Sequence, residues 1–159
     1  MLAPAPRSLR LVPSAFDPLH ALGLLDAHGD DLLALARLVA GDIEVARVVV
    51  ADVLHSASVE GAPSRARTRG ALATATFHGC RAVVEVASGS AGAADLPPSP
   101  HPVDRLARTS DQQRCAVALH LHGHLTALQI AILLDLSPGA VEDLLRAALG
   151  ELSAVRRPT

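Results

Sequence analysis

The chain has 159 residues and a mass of 16.4 kDa, with 50% hydrophobic residues, which excludes disorder throughout and allows one ordinary domain or two small ones. A formal charge of -2 gives no global basic field for nucleic acid, so any DNA binding must rest on a local patch. Apolar stretches are interrupted by Asp, Arg, His or Gly before the roughly 18 to 20 residues that a membrane span requires, so no membrane partner is expected.

The apolar half consists mainly of alanine and leucine, with Phe16 and Phe77 the only aromatic residues. Ala and Leu favour helices, and only Val48 to Val50 and Val83 to Val86 have strand-like composition, so an all-α fold is expected. Pro4, Pro6, Arg7 and Arg10 stand where a signal peptide would need an unbroken apolar centre, which predicts a cytoplasmic address. Cys80 and Cys115 lack the spacing of a redox or metal pair and read as reduced, packed thiols.

Residues 1–18, with four prolines, read as a flexible tail. From Leu19 to Leu38 the positions Leu22, Leu25, Leu32, Leu35, Ala36 and Leu38 recur at three and four, and with Gly23 and Gly29 suggesting a break or a bend the segment reads as one long helix or two short ones. Gly41-Asp42 reads as a helix stop followed by an N-cap, with a second helix to about Ser56. A polar loop holding Arg65, Arg67 and Arg69 precedes a third helix over about 71–86. Residues 88–104 have the Gly, Ser, Ala and Pro content of a linker. The expected organisation is therefore a helical domain over 19–87, this linker, and a compact helical module over 105–155.

The sharpest local pattern lies in that module. Thr126-Ala-Leu-Gln129 is a capping box, in which hydroxyl and amide side chain satisfy each other's backbone amides. The helix it starts carries Ile130, Leu133 and Leu134 on one face. Ser137-Pro138 then supplies an N-cap and a first-turn proline for a second helix. There Val141, Leu144, Leu145, Ala148, Leu149 and Leu152 form an apolar stripe. With a preceding helix over about 111–122 facing inward through Cys115, Ala118, Leu119 and Leu121, the pattern is a trihelical helix-turn-helix. An ordinary helical hairpin fits the same pattern without any role in nucleic-acid binding.

Leu125, Ile130-Ala131, the run Leu134 to Ser137, Val141 and Ala148-Leu149-x-x-Leu152 resemble the C-terminal region of bacterial sigma factors of the extracytoplasmic-function group. Ala36-Arg37, Gly41-Asp42 and Ala46 are similar to the polymerase-docking region of the same family. The stretch ARTRGALATATFHGC resembles its helix that reads the upstream promoter element. The resemblance covers about residues 16–87 and 105–155, with a linker in the same place. It implies a transcription regulator, with RNA polymerase core and promoter DNA as partners and a protein regulator as a further one.

Carried over by position, the resemblance assigns polymerase contact to the helix of Asp42, Glu44, Arg47 and Asp52. It assigns DNA contact to Thr126, Gln129, Ser137, Gly139, Ala140, Glu142, Asp143 and Arg146, with phosphate contact from Arg65, Arg67 and Arg69. The chain departs from the family at Arg47 and Val48, where an acidic run stands, and at Glu142 and Asp143, where polar and basic residues face DNA. Phe77 alone remains as an aromatic for holding an unstacked base. These departures define an alternative: a degenerate sigma-like protein-interaction module that binds another sigma factor or regulator without tight DNA binding. His120, His122 and His124 have no nearby carboxylate or thiol to complete a metal site, and no nucleophile-base order or paired catalytic carboxylates occur. No metal, cofactor or enzymatic activity is expected.

Overall fold

The computed structural model describes residues 16–59, 68–88 and 110–154, with backbone alone for 87–88 and 151–154. Residues 1–15, Arg65, Arg67, most of the expected linker and the side chain of Leu152 lie outside the described residues. Six helices make up the described fold: α1 (Pro18–Ala40), α2 (Ile43–Ser58), α3 (Arg69–Ser88), α4 (Asp111–Leu121), α5 (Ala127–Leu134) and α6 (Pro138–Ala154). An isolated antiparallel bridge between Phe16 and Val59 is the one β feature among them. The all-α expectation holds, and none of these helices is long and apolar enough to cross a membrane.

The polar capping residues set most of the boundaries. The Asp17 carboxylate accepts from the amides of Leu19 at 3.1 Å and His20 at 3.2 Å, and Pro18 takes the first helical position, where its missing N–H is no loss. Pro18, expected to end a tail, therefore begins a helix. Gly23 and Gly29 do not break α1, which runs unbroken to Ala40 and ends at Gly41 in the left-handed region, φ 75°. The Asp42 carboxylate starts α2, accepting from Glu44 N at 2.7 Å and Val45 N at 3.0 Å. The Val48–Val50 run is helical. Val49 and Val50 are buried and Val48 faces out, so packing on neighbouring helices overrides β propensity. In α3, Leu72, Ala73, Phe77 and Cys80 turn inward, and Gly79 lets α2 approach. A Cβ at that glycine would stand 2.8 Å from Val49 Cγ1.

In the second half Ser110 caps α4, accepting from Gln113 N at 3.2 Å. The Thr126 and Gln129 capping box is present in both directions. Gln129 N donates to Thr126 Oγ1 at 3.3 Å, and Thr126 N donates to Gln129 Oε1 at 2.9 Å. Asp135 ends α5 at φ 53°, Leu136 and Ser137 complete the turn, and Ser137 Oγ accepts from Ala140 N at 3.2 Å at the start of α6. Along α6, Val141 and Ala148 are buried and Leu144 and Leu145 half-buried, but Leu149 is 60% exposed. Leu149 therefore departs from the expected stripe. Leu121, expected on the inner wall of α4, is also exposed: it is the last residue of the helix and points away from the side on which Ala118 and Leu119 are buried.

The two halves share one core. Leu35, Ala36, Leu72 and Phe77 belong to the same buried cluster as Cys115, Leu119, Leu125, Ile130 and Val141, and α4 packs on α1. At the seam Gly123 lies so close that a Cβ there would meet the Leu119 carbonyl oxygen at 2.5 Å and Ala73 Cβ at 3.2 Å. Arg81 on α3 bonds Asp111 on α4 at 2.7 Å. Asp31 of α1 pairs with Arg69 of α3 and lies 3.5 Å from His122 Nδ1 beyond the end of α4.

Candidate functional site

The residues assigned to DNA contact fall at the start of α5 and on the outward side of α6, but most are engaged internally. Thr126 and Gln129 hold each other, and Thr126 Oγ1 also lies 3.0 Å from Gln129 Oε1. Ser137 caps α6. Gly139 is exposed beside open space, and Ala140 is half-buried. Glu142, Asp143 and Arg146 all face solvent, and Arg146 Nη1 donates to Asp143 one turn away. With Arg146 neutralised by Asp143, Glu142 leaves the outward face with an acidic surplus, the wrong sign for a phosphate backbone.

Arg69, expected in a loop, is the first residue of α3. It is half-buried and ion-paired with Asp31, so it is held inside the molecule rather than offered to phosphate. The structure does bring the start of α3 beside α5: Thr68, Gly70 and Thr74 line one cleft with Leu125, Gln129 and Ile132. Phe77 is 4% exposed, its ring packed in the core, which removes it as a platform for a flipped base.

The residues assigned to polymerase contact separate. Asp42 is committed to capping α2, whereas Glu44 and Arg47 form an exposed pair at 2.7 Å on the next turn. Arg47 and Asp52 lie on the rim of a groove between α1 and α2. Of the six described arginines, Arg47, Arg69, Arg81, Arg114 and Arg146 are each paired with a carboxylate, and Arg37 makes no ion pair to another described residue.

Sequence reasoning missed two exposed apolar surfaces. On α1, Leu19, Leu22 and Leu25 face solvent beside Phe16, although Leu22 and Leu25 belong to the periodic stripe. On α5, Leu128 and Ile132 face out at 61% and 74% exposure. Helical spacing from 128 to 132 signals this second face. Spacing alone cannot tell it from the core face, because Ala127, Ile130 and Ala131 are apolar too.

Among the described residues the thiols and histidines do not gather into a group that could hold a metal ion. Burial pushes the Cys80 and Cys115 thiols up to about 11, with Cys115 adding to the effect on Cys80 and Asp111 to that on Cys115. Both stay protonated near neutral pH, as packed side chains. His120 Nδ1 lies 3.3 Å from the Leu125 carbonyl, His122 turns to Asp31, and His124 occupies a left-handed position, so the three diverge. His122 is held below its ordinary value by burial and by the Arg69 guanidinium. Asp31 is already engaged by Arg69, so its pull on the imidazole is the weaker influence.

No protein-family model, curated protein or solved structure matches this chain.

Proposed function

We propose that this chain is a sigma-factor-like transcription regulator that associates with RNA polymerase core and promoter DNA. The observation that carries this reading is the α5–α6 pair. A helix opened by a reciprocal cap, a turn led by Asp135 and a second capped helix are locked together by fully buried Ile130 and Val141, the arrangement of a helix-turn-helix. In this reading α6 lies along a major groove, and the outward face of α2, with Glu44, Arg47 and Asp52, meets the polymerase. Its role is assembly rather than chemistry, with no cofactor. The resemblance in the order of the two sequence segments supports it.

The census of arginines favours a second reading, a sigma-like module that binds another sigma factor or regulator without tight DNA binding. Among the described residues, phosphate contact through Arg47, Arg69, Arg81, Arg114 or Arg146 would compete with an ion pair to a carboxylate of the same chain. Two measurements on the full chain separate the readings. The regulator retains core polymerase subunits at low salt and shifts promoter DNA with an affinity that falls steeply as salt rises. The module retains a protein partner and shifts no DNA at any salt. Retention of neither polymerase nor DNA defeats the first reading.

A further inference from the structure

The groove between α1 and α2 has a volume of about 740 Å³. Its floor is apolar, built from Leu22, Leu25 and Leu33 of α1 and Val50 and Leu54 of α2. Leu22 and Leu25 are 61% and 50% exposed, so this floor is open to water over the described residues. Asp30 and Asp52 stand on its lining, and neither has an ion-pair partner among the described residues. An occupant that fits must therefore pair apolar side chains with positive charge.

One end of the groove is where residues 1–15 join the fold. The Phe16 ring stacks on His55 with centroids 4.6 Å apart, and Asp17 N donates to Ser58 O at 3.3 Å, which pins that junction beside the end of α2. Residues 1–15 contain Arg7 and Arg10 and no Asp or Glu, with Leu9, Leu11 and Val12 interleaved. Pro4, Pro6 and Pro13 suit an extended chain and oppose a helix. From Pro18 to Asp30 α1 rises about 18 Å, a distance that about five or six extended residues cover. An extended chain of that length reaches from Phe16 to Asp30, so Arg10 is within reach of the Asp30 carboxylate and Leu11 and Val12 are within reach of the apolar floor.

We infer that residues 1–15 occupy the α1–α2 groove of their own chain, their arginines serving Asp30 and Asp52 and their leucines and valine covering Leu22 and Leu25. Tethering at Phe16 raises the effective concentration of this segment far above that of a free partner. Bound there, it covers Arg47 and Asp52, so whatever docks on that rim of α2 must first displace it. The inference rests on the groove, the tether and the charges, and it stands whether or not the chain acts in transcription.

The test is a titration of a fluorescently labelled peptide of residues 1–15 into the full chain and into a chain lacking residues 1–12. The truncated chain should bind the peptide at least tenfold more tightly than the full chain. Asp30→Asn with Asp52→Asn in the truncated chain should weaken binding several-fold, and raised salt should do the same. In the full-length protein Arg7→Glu with Arg10→Glu should open the groove to a labelled wild-type peptide. Equal affinity for the full and truncated chains, undiminished binding of a scrambled peptide, or no binding to either chain overturns the inference. A full-length dimer that becomes monomeric on Arg10→Glu overturns it too, because the segment would then sit on a second copy.

Discussion

The two halves of the molecule bury themselves differently. In α1 to α3 the fully buried positions include large side chains, Leu32, Leu35 and Leu72, set among long helices of 23, 16 and 20 residues. In α4 to α6 small residues supply much of the interior, with Cys115, Ala116, Ala118, Ala131 and Ala148 beside Leu119, Ile130 and Val141. A unit of about fifty residues with such slender walls removes little apolar surface from water by itself. Here it is completed by packing α4 on α1 and the turn around Gly123 on α3. Helical pattern is equally clear in both halves, yet the second leans on the first.

The sharpest way to break this asymmetry is in the first core. Leu35→Ala, at a site with no exposure, should cost about 3–5 kcal/mol and lower the midpoint of urea unfolding for both halves together, as followed by circular dichroism. Two separate transitions after this substitution would show that the second half does not depend on the first.

The seam itself is tested by Gly123→Ala. The new methyl meets a backbone carbonyl and Ala73, neither of which can rotate aside, so a loss of about 1–3 kcal/mol is expected in the same assay. Gly139→Ala, in open space on the exposed first turn of α6, serves as the control and should not destabilise the chain.

A gain is expected at Thr76, fully buried with a hydroxyl that has no hydrogen-bond partner among the described residues. Thr76→Val keeps the shape and removes the unpaired polar group, so stability should rise by about 1 kcal/mol, visible as a higher melting temperature.

The smallest effect is pH-dependent and belongs to the seam. His122 is held below its ordinary value of 6.5 when folded, so as pH falls below 6.5 the unfolded chain takes up the proton first. The contribution of the neutral imidazole is present above 6.5 and is lost as pH drops toward the lower folded value. His122→Gln should flatten this part of the stability profile, and an unchanged slope between pH 7 and pH 5 would show that the imidazole is not the responsible group.

Much of the fold was legible because helix ends are written locally. Asp42, Thr126 with Gln129, and Ser137 with Pro138 are short-range devices, and each caps the helix its sequence indicates. Gly23 and Gly29 left one long helix and two short ones open, because a glycine inside a helix breaks it only if the surrounding contacts do not hold the backbone, and α1 is the one long helix. Gly29 is buried in α1 against Leu25. The candidate site was less legible. Positions on α6 could be named from spacing, but spacing gives no information on pairing, and the partners of Arg69 and Arg81 lie far away in the chain.

The sequence by itself determined the helical class, the caps, and the acidic character of α6 through Glu142 and Asp143, because these depend on neighbours within a turn or two. Only the tertiary structure decided that both halves close over one core, that five of the six described arginines pair with carboxylates, and that Leu22 and Leu25 line an open groove. Those outcomes depend on which surfaces of separate helices meet, and a period of 3.6 residues shows that a face exists without saying what covers it.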